Sequence, residues 1–129
     1  MGSILLIMNT AAVPSPLSDN DYRALADALL AHVEKTTDRW LQDDVVDIDT
    51  SRTGGLLELS FPDGSAIVLN TQPPLQELWM AARSGGFHYK YSDGQWRDTR
   101  DGSELLAALS ACATSQAGRD LKFDPVPAE

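Results

Sequence analysis

Apolar residues near the start of the chain recur with the spacing of a helix. Between Ser18 and about Leu41 they return every three or four positions, which places them on one helical face. The predicted buried face consists of Tyr22, Leu25, Ala26, Leu29, Val33 and Trp40. Ser18, with Asp21 three residues later, has the chemistry of a helix N-cap. We therefore predict one long helix that begins after Ser18 and ends near Leu41.

The pattern then changes to the two-residue alternation of strands that bury one face. Strands are predicted at residues 45–51, 57–61, 66–70, 75–83 and 87–91, with a short one around Trp96. Turn-forming Gly, Pro and Asp residues separate them at 53–55, 62–64, 85–86 and 93–94. Pro73-Pro74 predicts an extended break before the fourth strand.

A second helical pattern begins at Glu104 and ends near Ala117, where Gly118 can form the left-handed cap. Its predicted core face consists of Leu105, Leu106, Leu109, Cys112 and Ala113. Two helices flanking an antiparallel meander predict an α+β two-layer sandwich, with both helices on one face of a sheet of five to seven strands. The 129 residues suit a single domain at 18–124, preceded by a disordered leader at 1–17 and followed by a frayed tail at 125–129.

Acidic residues are concentrated in one part of the chain. Residues 18–49 contain nine of the 19 acidic side chains and only three basic ones, so they carry −6 of the net charge of −9. On a helix, Asp27, Glu34 and Asp38 fall within about 40° of each other, roughly opposite the apolar face. Asp47 and Asp49 alternate with apolar residues and so point off one side of the next strand. Together these positions predict a continuous acidic surface.

Composition excludes several classes of partner. A pI near 4.5 argues against nucleic acid, whose phosphates require a basic face, and against anionic membrane surfaces. The one cysteine, Cys112, excludes an internal disulfide and fits a reducing compartment. The apolar run at residues 4–8 is too short for a signal-peptide core or a membrane span. With no other targeting signal, we expect a cytoplasmic protein.

Residues that could perform catalysis are few and scattered. The sequence contains no nucleophile elbow, phosphate-binding glycine loop, Cys-x-x-Cys or zinc-protease motif. His32 lies beside the apolar face of the first helix, and His88 lies on the outer face of a strand. Cys112 lies on the core face of the second helix, which favours a buried structural thiol over a reactive one. We therefore predict a protein that is not an enzyme.

Two surface features remain as candidate binding sites. The acidic surface offers hard oxygen donors suited to Ca²⁺, Mg²⁺, Mn²⁺ and Fe²⁺, or a field that attracts a basic partner. Plain solvation is the alternative, and the pattern alone leaves the choice open. Trp79 is predicted on the polar face of its strand, with Asn70 and His88 on neighbouring strands of the same face. Exposed tryptophan is common both as surface scatter and at interface hot spots.

The segment around Trp79 carries the most specific motif in the chain. It reads Asn-x-Gln-x-Pro at residues 70–74, then Trp79 after four more residues, then Gly-Gly-aromatic-His at 85–88. Further characteristic segments lie at residues 22–27, 47–49, 54–55, 94–96 and 115–118. In this order they resemble the frataxin family, in its bacterial branch, over residues 18 to about 123.

The resemblance implies a non-enzymatic protein of iron–sulfur cluster assembly with an α-β sandwich fold. Such a protein binds Fe²⁺ and Fe³⁺ weakly on an acidic ridge, which also docks on a basic patch of the cysteine desulfurase. Carried over residue by residue, this acidic ridge consists of Asp27, Glu34, Asp38, Asp43, Asp44, Asp47 and Asp49. The outer sheet face would contact the assembly complex, including its scaffold. We call the residues concerned the sheet patch: Asn70, Gln72, Trp79 and His88.

This chain departs from the family in two places, and two other functions stay open. Lys35 and Arg39 stand where relatives often carry acids, and the connection at 41–46 is slightly longer, which leaves the placement of Asp43 and Asp44 open. One rival is an interaction module whose ridge never carries metal. The other is a ferroxidase, which the absence of a histidine-containing di-iron spacing disfavours. We expect a monomer, with iron-driven oligomers as an open alternative.

Overall fold

The computed structural model describes residues 17–128, so the predicted leader, apart from Leu17, and Glu129 lie outside it. The elements over this range are α1 (Asp19–Gln42), β1 (Asp49–Thr53), β2 (Leu56–Ser60), β3 (Ala66–Gln72), a 3-10 turn (Pro73–Leu75), β4 (Glu77–Ala82), β5 (Gly85–Ser92), β6 (Gln95–Asp98) and α2 (Leu105–Ala117). Each strand pairs antiparallel with the next, giving one sheet in the order β1 to β6. Both helices contribute to one core against this sheet, which confirms the predicted α+β two-layer sandwich.

Helix α1 forms where the apolar spacing predicts it. The Ser18 hydroxyl accepts a hydrogen bond from the Asp21 N–H at 3.0 Å, which confirms the cap. Most of the predicted core face is buried: Tyr22, Ala26, Leu29 and Val33. The buried face also includes Leu30, Thr36 and Thr37, which the apolar pattern missed. The two threonines are buried because their hydroxyls donate to backbone carbonyls of the preceding turn, at 2.9 Å each.

The first strand begins later than predicted. It starts at Asp49 rather than residue 45, because the chain first has to leave the helix. Asp44 takes a left-handed conformation (φ 56°), and the Val45 N–H donates to the Trp40 carbonyl at 2.7 Å. The predicted alternation of faces nevertheless holds, since Ile48 is buried between exposed Asp47 and exposed Asp49.

The break at Pro73-Pro74 is a turn of 3-10 helix and not an extended segment as predicted. Proline favours this turn because its fixed φ is compatible with the first helical positions. Gln76 ends the turn with φ 54°, so it lies outside β4, where the alternation had placed it. Its side-chain amide accepts from the N–H of Leu17 at 3.1 Å and donates to the carbonyl of Leu17 at 2.6 Å. These two bonds hold the chain entering α1 against the sheet.

The helix-facing side of the sheet and the end of the chain complete the core. Leu78 and Met80 of β4 are buried as predicted, and Trp96 of β6 packs edge-on to Tyr22. Helix α2 begins at its cap Glu104 and ends at Gly118 in the predicted left-handed cap. Cys112, predicted in the core, is only half-buried. Leu121 and Phe123 pack onto this core after α2. Within residues 17–128, neither helix has the length and apolar composition that a membrane span requires.

Replacing Tyr89 by Phe is expected to raise the free energy of unfolding by about 1 kcal/mol. Tyr89 is fully buried, and its hydroxyl has no hydrogen-bond partner among the described residues. Burial also raises the pKa of Tyr89 above its usual 10.0. The unfolded chain therefore loses this proton first, so stability should fall as the pH rises above 10, and Tyr89→Phe should lessen that fall.

The matched control is Tyr22→Phe, which should destabilise the protein. The Tyr22 hydroxyl donates to the Glu77 carbonyl at 2.6 Å and accepts from the Gln72 N–H at 3.1 Å. Denaturant unfolding at neutral and alkaline pH measures both variants. Equal losses of stability in the two variants would contradict this account of Tyr89.

Candidate functional site

Two carboxylates of the acidic ridge on α1, those of Asp27 and Glu34, contact the edge strand β1. Arg52 of β1 is paired in register with buried Leu57, so its side chain lies on the helix-facing side of this edge strand. Its guanidinium contacts the Glu34 carboxylate at 3.0 Å and the Asp27 carboxylate at 3.2 Å. Asp27 and Glu34 are seven positions apart on α1, which places them on the same side of the helix. Two of the seven predicted ridge carboxylates are therefore already paired.

The next three ridge carboxylates are one on the last part of α1, Asp38, and two at its C-terminal end, Asp43 and Asp44. Asp38, Asp43 and Asp44 are all exposed. Asp43 is the C-cap, and its N–H donates to the Arg39 carbonyl at 2.9 Å. The helix dipole places partial negative charge at the C-terminal end, so the Asp43 and Asp44 carboxylates each cost about 0.3–1 kcal/mol of stability. The same arrangement concentrates negative potential at this end of the helix.

Asp47 and Asp49 extend the ridge around the edge of the sheet. Asp49 is paired in register with exposed Ser60, so it lies on the open face, away from Arg52. Near this segment the Arg119 guanidinium donates to the Val45 carbonyl. No Lys, Arg or His nitrogen of residues 17–128 lies within 4 Å of five ridge carboxylates: those of Asp38, Asp43, Asp44, Asp47 and Asp49. We call these five residues the open section of the ridge.

The ridge contains no preformed metal cage. Among residues 17–128, no three Asp, Glu, His or Cys side chains are close enough together to hold an ion. Separate carboxylates can still hold a hard cation that keeps most of its water, or face a row of basic side chains on a partner. The donor set therefore suits a hard cation that is held weakly, iron among them, and does not suit a tightly bound metal cofactor.

The sheet patch forms a row across three neighbouring strands, as the sequence predicts. Asn70 of β3 is paired with Trp79 of β4, which is paired with His88 of β5. The Trp79 and His88 rings stack with centroids 4.2 Å apart and planes 6° apart. Gln72 lies on the same face of β3, where it is paired with Glu77. All four predicted residues are therefore together on the open face of the sheet.

Glu77 and Lys90 support this patch, and the sequence analysis did not single out either one. Glu77 is only 8% exposed, and its carboxylate accepts from the Trp79 indole N–H at 2.7 Å. The same carboxylate lies 3.8 Å from His88 Nδ1 and 3.5 Å from Lys90 Nζ. These contacts hold Trp79 in one orientation, which lowers the entropy lost when a partner binds. The alternation of residues 77 and 79 on one face was the available signal.

The two remaining candidates for chemistry have structural contacts. His32 Nε2 lies 2.6 Å from the carbonyl oxygen of Asp124 and so helps to hold the end of the chain against α1. Cys112 Sγ lies 3.6 Å from the Ser84 hydroxyl, a weak hydrogen bond at the protein surface. Neither contact pairs a nucleophile with a base.

Comparison with known proteins identifies the family. Residues 15–119 match the family model of the frataxin-like domain. The iron-sulfur cluster assembly protein CyaY of Burkholderia mallei (strain SAVP1) is 50% identical over 107 residues, which cover 83% of this chain and 98% of that protein. The frataxin of Psychromonas ingrahamii has a similar structure, with a TM-score of 0.74 at 32% identity, covering 84% of this chain and 99% of that chain. Trimeric yeast frataxin from Saccharomyces cerevisiae, complexed with ferrous iron, shares the fold at 22% identity, with a TM-score of 0.60 and coverage of 87% and 98%. The chain therefore belongs to the frataxin family, whose bacterial CyaY members are proteins of iron–sulfur cluster assembly.

Proposed function

We propose that this protein acts in the cytoplasm as a non-catalytic adaptor of iron–sulfur cluster assembly, and that its acidic ridge both binds iron weakly and docks on a basic surface of the cysteine desulfurase. The observation that carries the proposal is the open section of the ridge. Five exposed carboxylates, two of them at the negative end of a helix, have no Lys, Arg or His nitrogen of residues 17–128 within 4 Å to offset their mutual repulsion. Such an arrangement lowers stability and produces a field that attracts metal ions or a basic partner.

Iron is the cargo that this chemistry supports. Fe²⁺ and Fe³⁺ accept carboxylate and water oxygens, and the exposed acids supply both charge and access. Without a cage, each ion keeps several waters, so binding is weak and the ion can be released to a partner. The ferrous complex of yeast frataxin is consistent with this role.

The partner surfaces divide between the two features of the site. A basic patch on the desulfurase is complementary to the ridge, so docking should weaken as salt screens the charges. The sheet patch presents a fixed, half-buried tryptophan, a residue type enriched at interface hot spots, beside amide and imidazole groups that can form hydrogen bonds. We assign the sheet patch to contacts with the cluster-assembly scaffold.

An iron-independent interaction module is the second candidate. It is favoured by the lack of three grouped ligands within residues 17–128. In that case the ridge would bind only the desulfurase, and chelators would leave docking unchanged. The two functions therefore differ in whether ferrous ion acts at the open section at all.

Anaerobic titration of ¹⁵N-labelled protein with Fe²⁺, with Mg²⁺ as the control for nonspecific charge, distinguishes them. Iron cargo predicts selective broadening of the amides of residues 38–49, while amides around Trp79 keep their intensity. A response to Fe²⁺ no more localised than that to Mg²⁺ would assign the ridge to protein docking alone.

A further inference from the structure

The acidic ridge contains a cation of its own, Arg52, held between two of the predicted iron ligands. The guanidinium donates to Glu34 and Asp27 and, through Nε, to the Gly54 carbonyl at 3.3 Å. Three acceptors on two elements therefore fix one planar group. The Arg52 and Glu34 side chains are only 26% and 30% exposed, so this pair is better shielded from water than the rest of the ridge.

We propose that Arg52 is a built-in counter-cation that determines where on the ridge external divalent cations bind. It occupies Asp27 and Glu34 and confines such cations to the open section, from Asp38 to Asp49. This inference rests on the proposed function, because it concerns the distribution of cations along the same ridge.

The chemistry of the contact supports this role. An ion that binds Glu34 has to break a charge-assisted hydrogen bond and then lies close to a fixed positive charge. Arginine cannot give up its charge by losing a proton, so the obstacle persists at any physiological pH. No Lys, Arg or His nitrogen in the described part of the chain lies within 4 Å of the Asp38 or Asp49 carboxylate, so an ion there has no such bond to break.

Removing Arg52 should extend the binding surface along α1. Glu34 and Asp38 are four residues apart on the helix, a spacing that lets two side chains meet. Without Arg52, these two carboxylates are free to bind one divalent ion together. We therefore expect the variant to bind such ions more tightly and at additional residues.

The test compares Arg52→Gln with Arg83→Gln, using Mn²⁺ as the probe. Arg83, in the turn between β4 and β5, forms an ion pair with Asp63 at 3.1 Å. Arg83→Gln therefore changes the net charge by the same amount as Arg52→Gln, but away from the ridge. The Mn²⁺ dissociation constant should fall about three- to tenfold in Arg52→Gln relative to Arg83→Gln. Paramagnetic broadening in ¹⁵N spectra should spread from residues 38–49 to residues 27–34 in Arg52→Gln only.

The same spectra show whether each variant is folded, and Arg52→Lys provides a second comparison. Lysine keeps the charge but not the planar fork, so its dissociation constant should lie between those of the unmodified chain and Arg52→Gln. The inference is overturned if Mn²⁺ binds the open section of the unmodified chain while Arg52→Gln and Arg83→Gln behave alike. The inference is likewise overturned if the unmodified chain shows no localised Mn²⁺ binding, whether or not Arg52→Gln binds at residues 27–34. The iron role is decided separately by the Fe²⁺ titration, so the two failures are distinguishable.

Discussion

The variant with Asp38, Asp47 and Asp49 all replaced by Asn is expected to bind Fe²⁺ about tenfold more weakly than the unmodified chain, while its fold becomes slightly more stable. These are three of the five exposed carboxylates in the open section of the ridge. Their removal takes away most of the local negative potential. It also relieves repulsion with Asp43 and Asp44 at the negative end of α1, so we expect a gain of about 0.5 kcal/mol in the free energy of unfolding.

Weaker iron binding together with a higher free energy of unfolding would distinguish a functional surface from a structural one. A matched control replaces Asp19, Asp93 and Asp124, which are exposed and outside the ridge, by Asn. It changes the net charge by the same amount and should leave iron affinity within about twofold. Calorimetric titration with Fe²⁺ under anaerobic conditions and denaturant unfolding measure the two quantities. Equal loss of iron binding in both triple variants would mean that only total charge matters.

Replacing Phe123 by Ala should lower the free energy of unfolding by about 3–5 kcal/mol. Phe123 is 3% exposed, and the centroid of its ring lies 4.7 Å from that of the Trp40 ring on α1. Its N–H donates to the Ser110 hydroxyl of α2 at 2.9 Å. Phe123 therefore joins α2 to the end of α1 that carries the open section of the ridge.

The comparison for Phe123→Ala is Val126→Ala, three residues further along. Val126 is 37% exposed, so its truncation should cost less than about 1 kcal/mol. A thermal melt of each variant is sufficient, because the expected difference corresponds to about 10 °C or more in Tm. If Phe123→Ala melts as Val126→Ala does, the end of the chain does not support α1 as described.

Periodicity predicted the fold because burial on one face is a local property of the sequence. The alternation in β2 and β4 gave the correct inward residues, and the spacing in α1 gave most of its core face. The errors lie where another element decides. The turn at Pro73–Leu75 ends at Gln76, whose side chain bonds Leu17, 59 residues earlier. Such a contact leaves no trace in the local pattern.

The sequence predicted which side chains of the sheet patch lie together, but it did not predict which basic side chains lie beside the acidic ridge. The register of β3, β4 and β5 brings Asn70, Trp79 and His88 together on one face of the sheet. The sequence predicted that shared face because alternation along a strand is a local pattern. For the ridge, the prediction considered only the charges within residues 18–49. It therefore missed two arginines from later in the chain that contact this segment. Arg52 arrives from β1, and Arg119 arrives from beyond α2 to contact the Val45 carbonyl. A projection of α1 alone cannot show which side chains of other elements pack beside its acidic residues.

The most direct test of the central claim is the calorimetric affinity of the cysteine desulfurase for the unmodified chain and for the Asp38, Asp47 and Asp49 triple variant, each at low and high salt. We expect the unmodified chain to bind with an affinity that falls steeply with salt, and the triple variant to bind about tenfold more weakly at low salt. Equal, salt-insensitive binding of the two proteins would contradict the assignment of the acidic ridge as the docking surface.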